Sequence, residues 1–164
     1  MKYHNVYWLW LSAAVIVADQ LSKQLVVREM LLFERIPLIP HLNLFHVHNT
    51  GAAFSMFSNA PPLLFILLGV GVSIGILWWM RRHPSDERLA AASLSLILGG
   101  ALGNVIDRAT RGHVVDFIDF YVGEWHFAAF NLADAAISVG AALLILDSVL
   151  QMRRERRQAR QESP

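Results

Sequence analysis

Four long apolar runs divide the chain, at residues 6–27 (VYWLWLSAAVIVADQLSKQLVV), 63–80 (LLFILLGVGVSIGILWWM), 89–106 (LAAASLSLILGGALGNVI) and 127–150. A membrane-spanning helix needs roughly 17 to 25 predominantly apolar residues, so each run predicts one span. The second and third runs carry no charge. The segment at about 30–60 reads differently. Apolar and polar residues partly alternate there, as in LNLFHVH, which predicts short strands broken at Pro37 and Pro40, with NTG as a turn. Open sheet edges are not tolerated in hydrocarbon, so such strands belong at the outer surface. The expected fold is an α-helical integral membrane protein. It has four transmembrane helices and a small extracytoplasmic β-sheet subdomain, in a single domain over residues 1–164.

Composition agrees with that class, because 55% of the residues are hydrophobic and only 16% charged. A net charge of +1 argues against nucleic acid as a partner. The absence of cysteine excludes disulfides, thiol nucleophiles and thiolate metal sites. Lys2 before the first run invites a signal-peptide reading, but the run is too long and three more follow, so it reads as a retained helix. With four spans both termini share one side. That side carries Lys2, Arg81, Arg82, Arg88 and five arginines of the tail at 151–164, against Arg28, Arg35, Arg108 and Arg111 opposite. The positive-inside bias places both termini in the cytoplasm and reads the tail as a topological anchor.

Carboxylates in a membrane segment are expensive, so their depths matter. Asp19 and Lys23 fall in the outer half of the first span, and Asn104, Asp107 and Arg108 at the outer end of the third. Asn131 and Asp134 fall in the first turns of the fourth, with Asp134 about 6–10 Å below the outer boundary. The segment GHVVDFIDF adds Asp116 and Asp119, which alternation places on opposite faces of an extended strand. Asp147 lies about 20 Å further along the helix from Asp134, at the far end near the arginine tail. Structural roles compete at each position. Asp134 suits the positive end of a helix dipole, Asp19 with Lys23 suits a neutralising pair, and Asp107 with Arg108 suits an interfacial ion pair.

Two carboxylates brought together in a low-dielectric place share a proton, because both cannot ionise easily. That is what an aspartic protease requires: one carboxylate activates water while its protonated partner assists the scissile carbonyl. Rival chemistries fit less well. Ser22 and Lys23 are adjacent on a helix and do not face each other. No H-E-x-x-H motif is present, and His46 with His48 reads as two exposed loop histidines rather than a metal site. GGALGN reads as a close helix-packing surface. A small proton- or ion-coupled transporter would also use intramembrane Asp and Lys, but the acids cluster on one side and the second and third spans carry no charge in their middles.

Five segments, in order, resemble the bacterial lipoprotein signal peptidases (signal peptidase II). They are DQLSK (Asp19–Lys23), NTGAAFS (Asn49–Ser55), GGALGNVIDR (Gly99–Arg108), GHVVDF (Gly112–Phe117) and FNLADAAI (Phe130–Ile137). The resemblance implies an aspartic endopeptidase of the bacterial inner membrane, without a cofactor or metal, that cuts diacylglyceryl-modified prolipoproteins just before the lipid-modified cysteine. It implies that Asp116 and Asp134 are the catalytic pair and that Asn49, Gly51, Asn104, Asp107, Arg108 and Asn131 line or brace the site, with Asp19 and Lys23 as a supporting polar pair. A small outer sheet cradling the substrate, contact with membrane lipid and inhibition by the cyclic peptide globomycin are also implied. Gly51, Ala52 and Ala53 would leave room for a substrate backbone.

Overall fold

The apolar runs form helices, but with shifted ends. The computed structural model describes residues 5–52, 56–82 and 87–162. After a short 3-10 turn at Asn5–Trp8 come α1 (Leu9–Glu29), β1 (Arg35–Ile39), β2 (Leu42–Asn49), α2 (Pro62–Arg82), α3 (Arg88–Arg111), β3 (Val114–Val122), β4 (Trp125–His126) and α4 (Leu132–Glu162). Among the described residues three helices, α2, α3 and α4, are long and apolar enough to cross a membrane. The four spans expected from the sequence are therefore reduced to three by this measure. α1 has the length of α2, but Asp19, Gln20, Lys23 and Gln24 interrupt its apolar run. Asp19 and Lys23 are fully buried against the protein, so they face neither solvent nor lipid.

The fourth run begins later as a helix than its apolarity suggests. Residues 127–130 stay extended, and Phe130 pairs with Ile118 of β3 through two backbone hydrogen bonds of 2.8 and 3.1 Å. Only then does α4 start, and it continues as one helix through the arginine-rich segment to Glu162. α3 also overruns its predicted end, stopping at Arg111 where Gly112 adopts φ 78°. That left-handed conformation suits glycine and turns the chain into β3.

α3 is the central helix, packing on α1, α2 and α4. Its small residues permit the close approach. A Cβ at Gly99 would lie 2.9 Å from the Ser12 carbonyl oxygen of α1, and one at Gly103 would lie 2.6 Å from the Asp19 carboxylate. The GGALGN segment thus packs tightly, as small residues in membrane helices do, and leaves space for a buried acid.

The sheet runs β1-β2-β3-β4, antiparallel throughout. Pro37 does not break a strand: it lies inside β1, paired with Asn43 beside a register shift. An edge strand tolerates proline because one side of it has no ladder to complete. Pro40 and His41 form the hairpin turn, with His41 at φ 71°. A second shift on β2, between Leu44 and Val47, sets Asn43 opposite Asp119 and Val47 opposite Asp116. His46 is not an exposed loop residue. It is buried in β2 with Nδ1 3.1 Å from the Met30 carbonyl, while exposed His48 stacks on His113 at 3.7 Å between centroids. Val26 of α1 and Met30, the residue that follows the helix, pack with Val115 and Phe117 of β3, which ties the sheet to the helices.

Candidate active site

The first turn of α4 places one carboxylate. Asn131 precedes the helix, and its Oδ1 accepts from the Asp134 backbone N–H at 3.0 Å, while its own N–H donates to Asp134 Oδ2 at 3.2 Å. This reciprocal pair is a capping box with Asp in place of Glu, and it pins the Asp134 side chain. The Asn131 side chain then reaches sideways, and Nδ2 donates to Asp116 Oδ1 at 2.7 Å. One asparagine thus touches both aspartates.

Each carboxylate has one further amide. Asn49, the last residue of β2, donates from Nδ2 to Asp116 Oδ2 at 2.9 Å. Its Oδ1 accepts the Gly51 N–H at 2.9 Å, closing the NTG turn. Asn104 on α3 donates to Asp134 Oδ1 at 2.8 Å. Arg108, one turn on, donates from Nη2 to the Gly51 carbonyl and lies 4.8 Å from the Phe65 ring centroid. Burial first, then the neighbouring charge of Asp134, pushes the Asp116 carboxyl up to about 7. The amides of Asn49 and Asn131 and the charge of Lys23 pull the other way without prevailing.

Behind this layer is an ion cluster. Lys23 Nζ lies 2.8 Å from Asp19 and 2.9 Å from Asp107, and donates to Asn104 Oδ1 at 3.0 Å. Asp19 Oδ1 also accepts the Ala133 N–H at 3.0 Å, joining α1 to the start of α4. The Asp107–Arg108 ion pair suggested by the sequence does not form. Asp107 pairs with Lys23 and, at 2.6 Å, with Arg111. Successive helical residues point about 100° apart, whereas i and i+4 share a face.

Asp119 and Asp147 lie apart from this group. Asp119 is buried where the four strands meet, with Asn43 Nδ2 at 2.9 Å, His126 Nδ1 at 2.8 Å and Arg35 Nε at 3.2 Å. Burial pushes its carboxyl up, but those three partners outweigh burial and hold it below the usual carboxylate range. Asp147 accepts from Gln151 at 2.8 Å. Its partner is an amide and not the arginine segment.

The ten residues that the resemblance assigns to the site are all described, and they form one connected cluster. Ala53, Phe54 and Ser55 of the NTGAAFS segment lie outside the described residues. Two members were missed. Gln20 donates to Asp107, Asp19 and the Gly103 carbonyl at 3.1–3.2 Å, and Arg111 bonds Asp107 and Gln24. The spacing of Arg111, four residues after Asp107, was the available signal.

Asp134 lines one end of an open cavity of about 660 Å³ between α2 and α4, floored by α3, with buried Asp116 behind that end. Phe65, Gly69, Ala101, Val105 and Ile137 make it mainly apolar, with Asn104, Arg108 and Asp134 at its polar end. A carboxylate and an apolar trough therefore adjoin.

The family model described as signal peptidase (SPase) II matches residues 11–150. The chain is 49% identical over 150 residues to the lipoprotein signal peptidase of Shewanella halifaxensis, covering 90% of this chain and 88% of that protein. It is 47% identical over 143 residues to that of Alteromonas mediterranea, covering 85% and 79% respectively. A bacterial membrane enzyme structure obtained by the in meso method at 2.3 Å superposes with a TM-score of 0.81 at 29% identity, over 88% of each chain. Matched over nearly its full length, this multi-pass membrane protein belongs to the signal peptidase II family of aspartic peptidases.

Proposed function

We propose that Asp116 and Asp134 are the catalytic pair with which this chain removes signal peptides from diacylglyceryl-modified prolipoproteins, cutting just before the lipid-modified cysteine. The observation that carries the reading is Asn131, bonded both to Asp116 and to Asp134, the carboxylate at the polar end of the apolar cavity. Asp116, buried and with its carboxyl pushed up to about 7, supplies the acid that hydrogen-bonds the scissile carbonyl. Asp134, at a helix N-terminus and accepting from Asn104 and the Asn131 N–H, is the carboxylate that takes a proton from the attacking water. The tetrahedral intermediate collapses when that proton passes to the leaving nitrogen. Asn49, Gly51 and Arg108 line the approach, while Asn104, Asp107, Asp19 and Lys23 brace it. The cavity takes the apolar signal segment or acyl chains from the lipid phase, and the same site is the expected target of globomycin. The direct test is cleavage of such a prolipoprotein by purified protein in detergent micelles. Absence of cleavage would count against the reading and in favour of a transport role.

The pH dependence follows from Asp116. Its carboxyl acts as an acid only while protonated, and its folded value is about 7. Activity is therefore expected to fall as pH rises through about 7, and to fall again at low pH when the base is protonated. A rate that stays flat from pH 6 to pH 9 would rule out Asp116 as the acid.

The orientation belongs to the same proposal. α1 serves as the fourth span, its polar residues turned inward, with both termini cytoplasmic and the sheet and dyad at the outer face of the bacterial inner membrane. A reporter fused after Pro164 is expected to behave as cytoplasmic and one inserted near Asn59 as external. The reverse pattern would overturn the topology.

A further inference from the structure

One hydroxyl in the helices has no partner. The other serines and threonines of the described helices donate to a backbone carbonyl, as Ser73 does to Gly69 (2.7 Å), Ser93 to Leu89 (2.7 Å) and Ser148 to Leu144 (3.0 Å). Ser138 on α4 makes no hydrogen bond, although the Asp134 carbonyl stands four residues earlier as the equivalent acceptor. Its side chain is exposed into the cavity, among Ala101, Val105, Ala135, Ile137 and Val139. In lipid or in a dry trough an unpaired hydroxyl is costly, which is why membrane serines fold back on their own helix. A hydroxyl that stays open in such a place is available to a ligand.

The position has a defined relation to the chemistry. Ser138 is four residues after Asp134, so it shares its face of α4 and lies about 6 Å deeper along the axis. An extended peptide advances about 3.3 Å per residue, so that offset corresponds to about two residues from the scissile bond. We infer that Ser138 is a substrate-binding residue whose hydroxyl donates to a carbonyl oxygen on the membrane-buried side of the bound substrate. The acceptor is either a peptide carbonyl about two residues before the cut or an ester carbonyl of the glyceride. The inference rests on the proposed peptidase reading. It adds a polar contact inside a cavity otherwise lined by apolar groups at that level.

The test uses full-length protein in micelles with a diacylglyceryl prolipoprotein. A neutral hydrogen bond to substrate implies that Ser138→Ala raises KM about 3- to 10-fold, with kcat within about twofold and the pH profile unmoved. Ser138→Thr, which keeps the hydroxyl, restores KM. A matched substrate with ether-linked chains separates the two acceptors. If the Ser138→Ala penalty persists there, the acceptor is a peptide carbonyl; if it disappears, an ester carbonyl. Unchanged KM in Ser138→Ala, or a fall in kcat alone, overturns the inference while leaving the dyad intact. An inactive parent protein would instead remove the peptidase reading on which it rests.

Discussion

Asp116→Asn and Asp134→Asn are each expected to abolish signal-peptide removal, with losses of at least about 10²- to 10⁴-fold, the contribution of one positioned acid or base. An amide is nearly the size of the acid but holds no transferable proton and cannot act as the base. At position 116 it would also set one NH2 against either Asn49 or Asn131, both of which now donate to the carboxylate. That mismatch costs about 1–3 kcal/mol, too little to prevent folding of a helical protein with an intact core. The mutants should remain membrane-inserted and elute as the parent does. Asp119→Asn and Asp147→Asn are the controls, since their partners are Asn43, His126 and Arg35 in one case and Gln151 in the other. Both should retain turnover and the shape of the pH profile. Rates within tenfold of the parent for either dyad mutant would sink the assignment, as would an inactive but folded Asp119→Asn protein.

The second large effect is on stability. Lys23 is fully buried between the carboxylates of Asp19 and Asp107. Lys23→Met removes the shared cation and leaves Asp19 without its ionic partner. Breaking a buried pair on one side typically costs about 3–5 kcal/mol, mostly from the charge left behind. For a chain of this size that corresponds to a lowering of Tm on the order of 6–20 °C. Asp107 keeps Arg111, so the Asp19 side should dominate. The double mutant Lys23→Met, Asp19→Asn should accordingly recover part of the loss, because no uncompensated charge remains at that end. Activity should fall further than stability alone explains, since Lys23 also orients the Asn104 amide whose other end holds Asp134. Thermal unfolding in detergent decides the matter, and a Tm within about 2 °C of the parent would show that the cluster contributes no net stability.

Much of this protein is determined by local pattern. Long apolar runs suffice for the helices because hydrocarbon and a helical core select the same residues. The apolar run VVDFIDF predicts β3, and because successive side chains of a strand point to opposite faces, Asp116 and Asp119, three residues apart, are separated. The ordered motifs suffice for the family, because each carries side chains of the site. Other features depended on neighbours far along the chain. Apolarity cannot distinguish an extended segment from a helix, so the late start of α4 was settled by backbone bonds between Phe130 and Ile118. The same holds for Pro37, which is acceptable only because β1 is an edge strand. Burial of His46 required the end of α1 to present the Met30 carbonyl. Most of all, pairing among charges was decided in three dimensions. The chain names Asp19, Lys23, Asp107, Arg108 and Arg111, but which cation neutralises which acid depends on helix faces and on the close α1–α3 approach at Gly103. Electrostatic attraction acts through space, and sequence order records only which charges are available to meet.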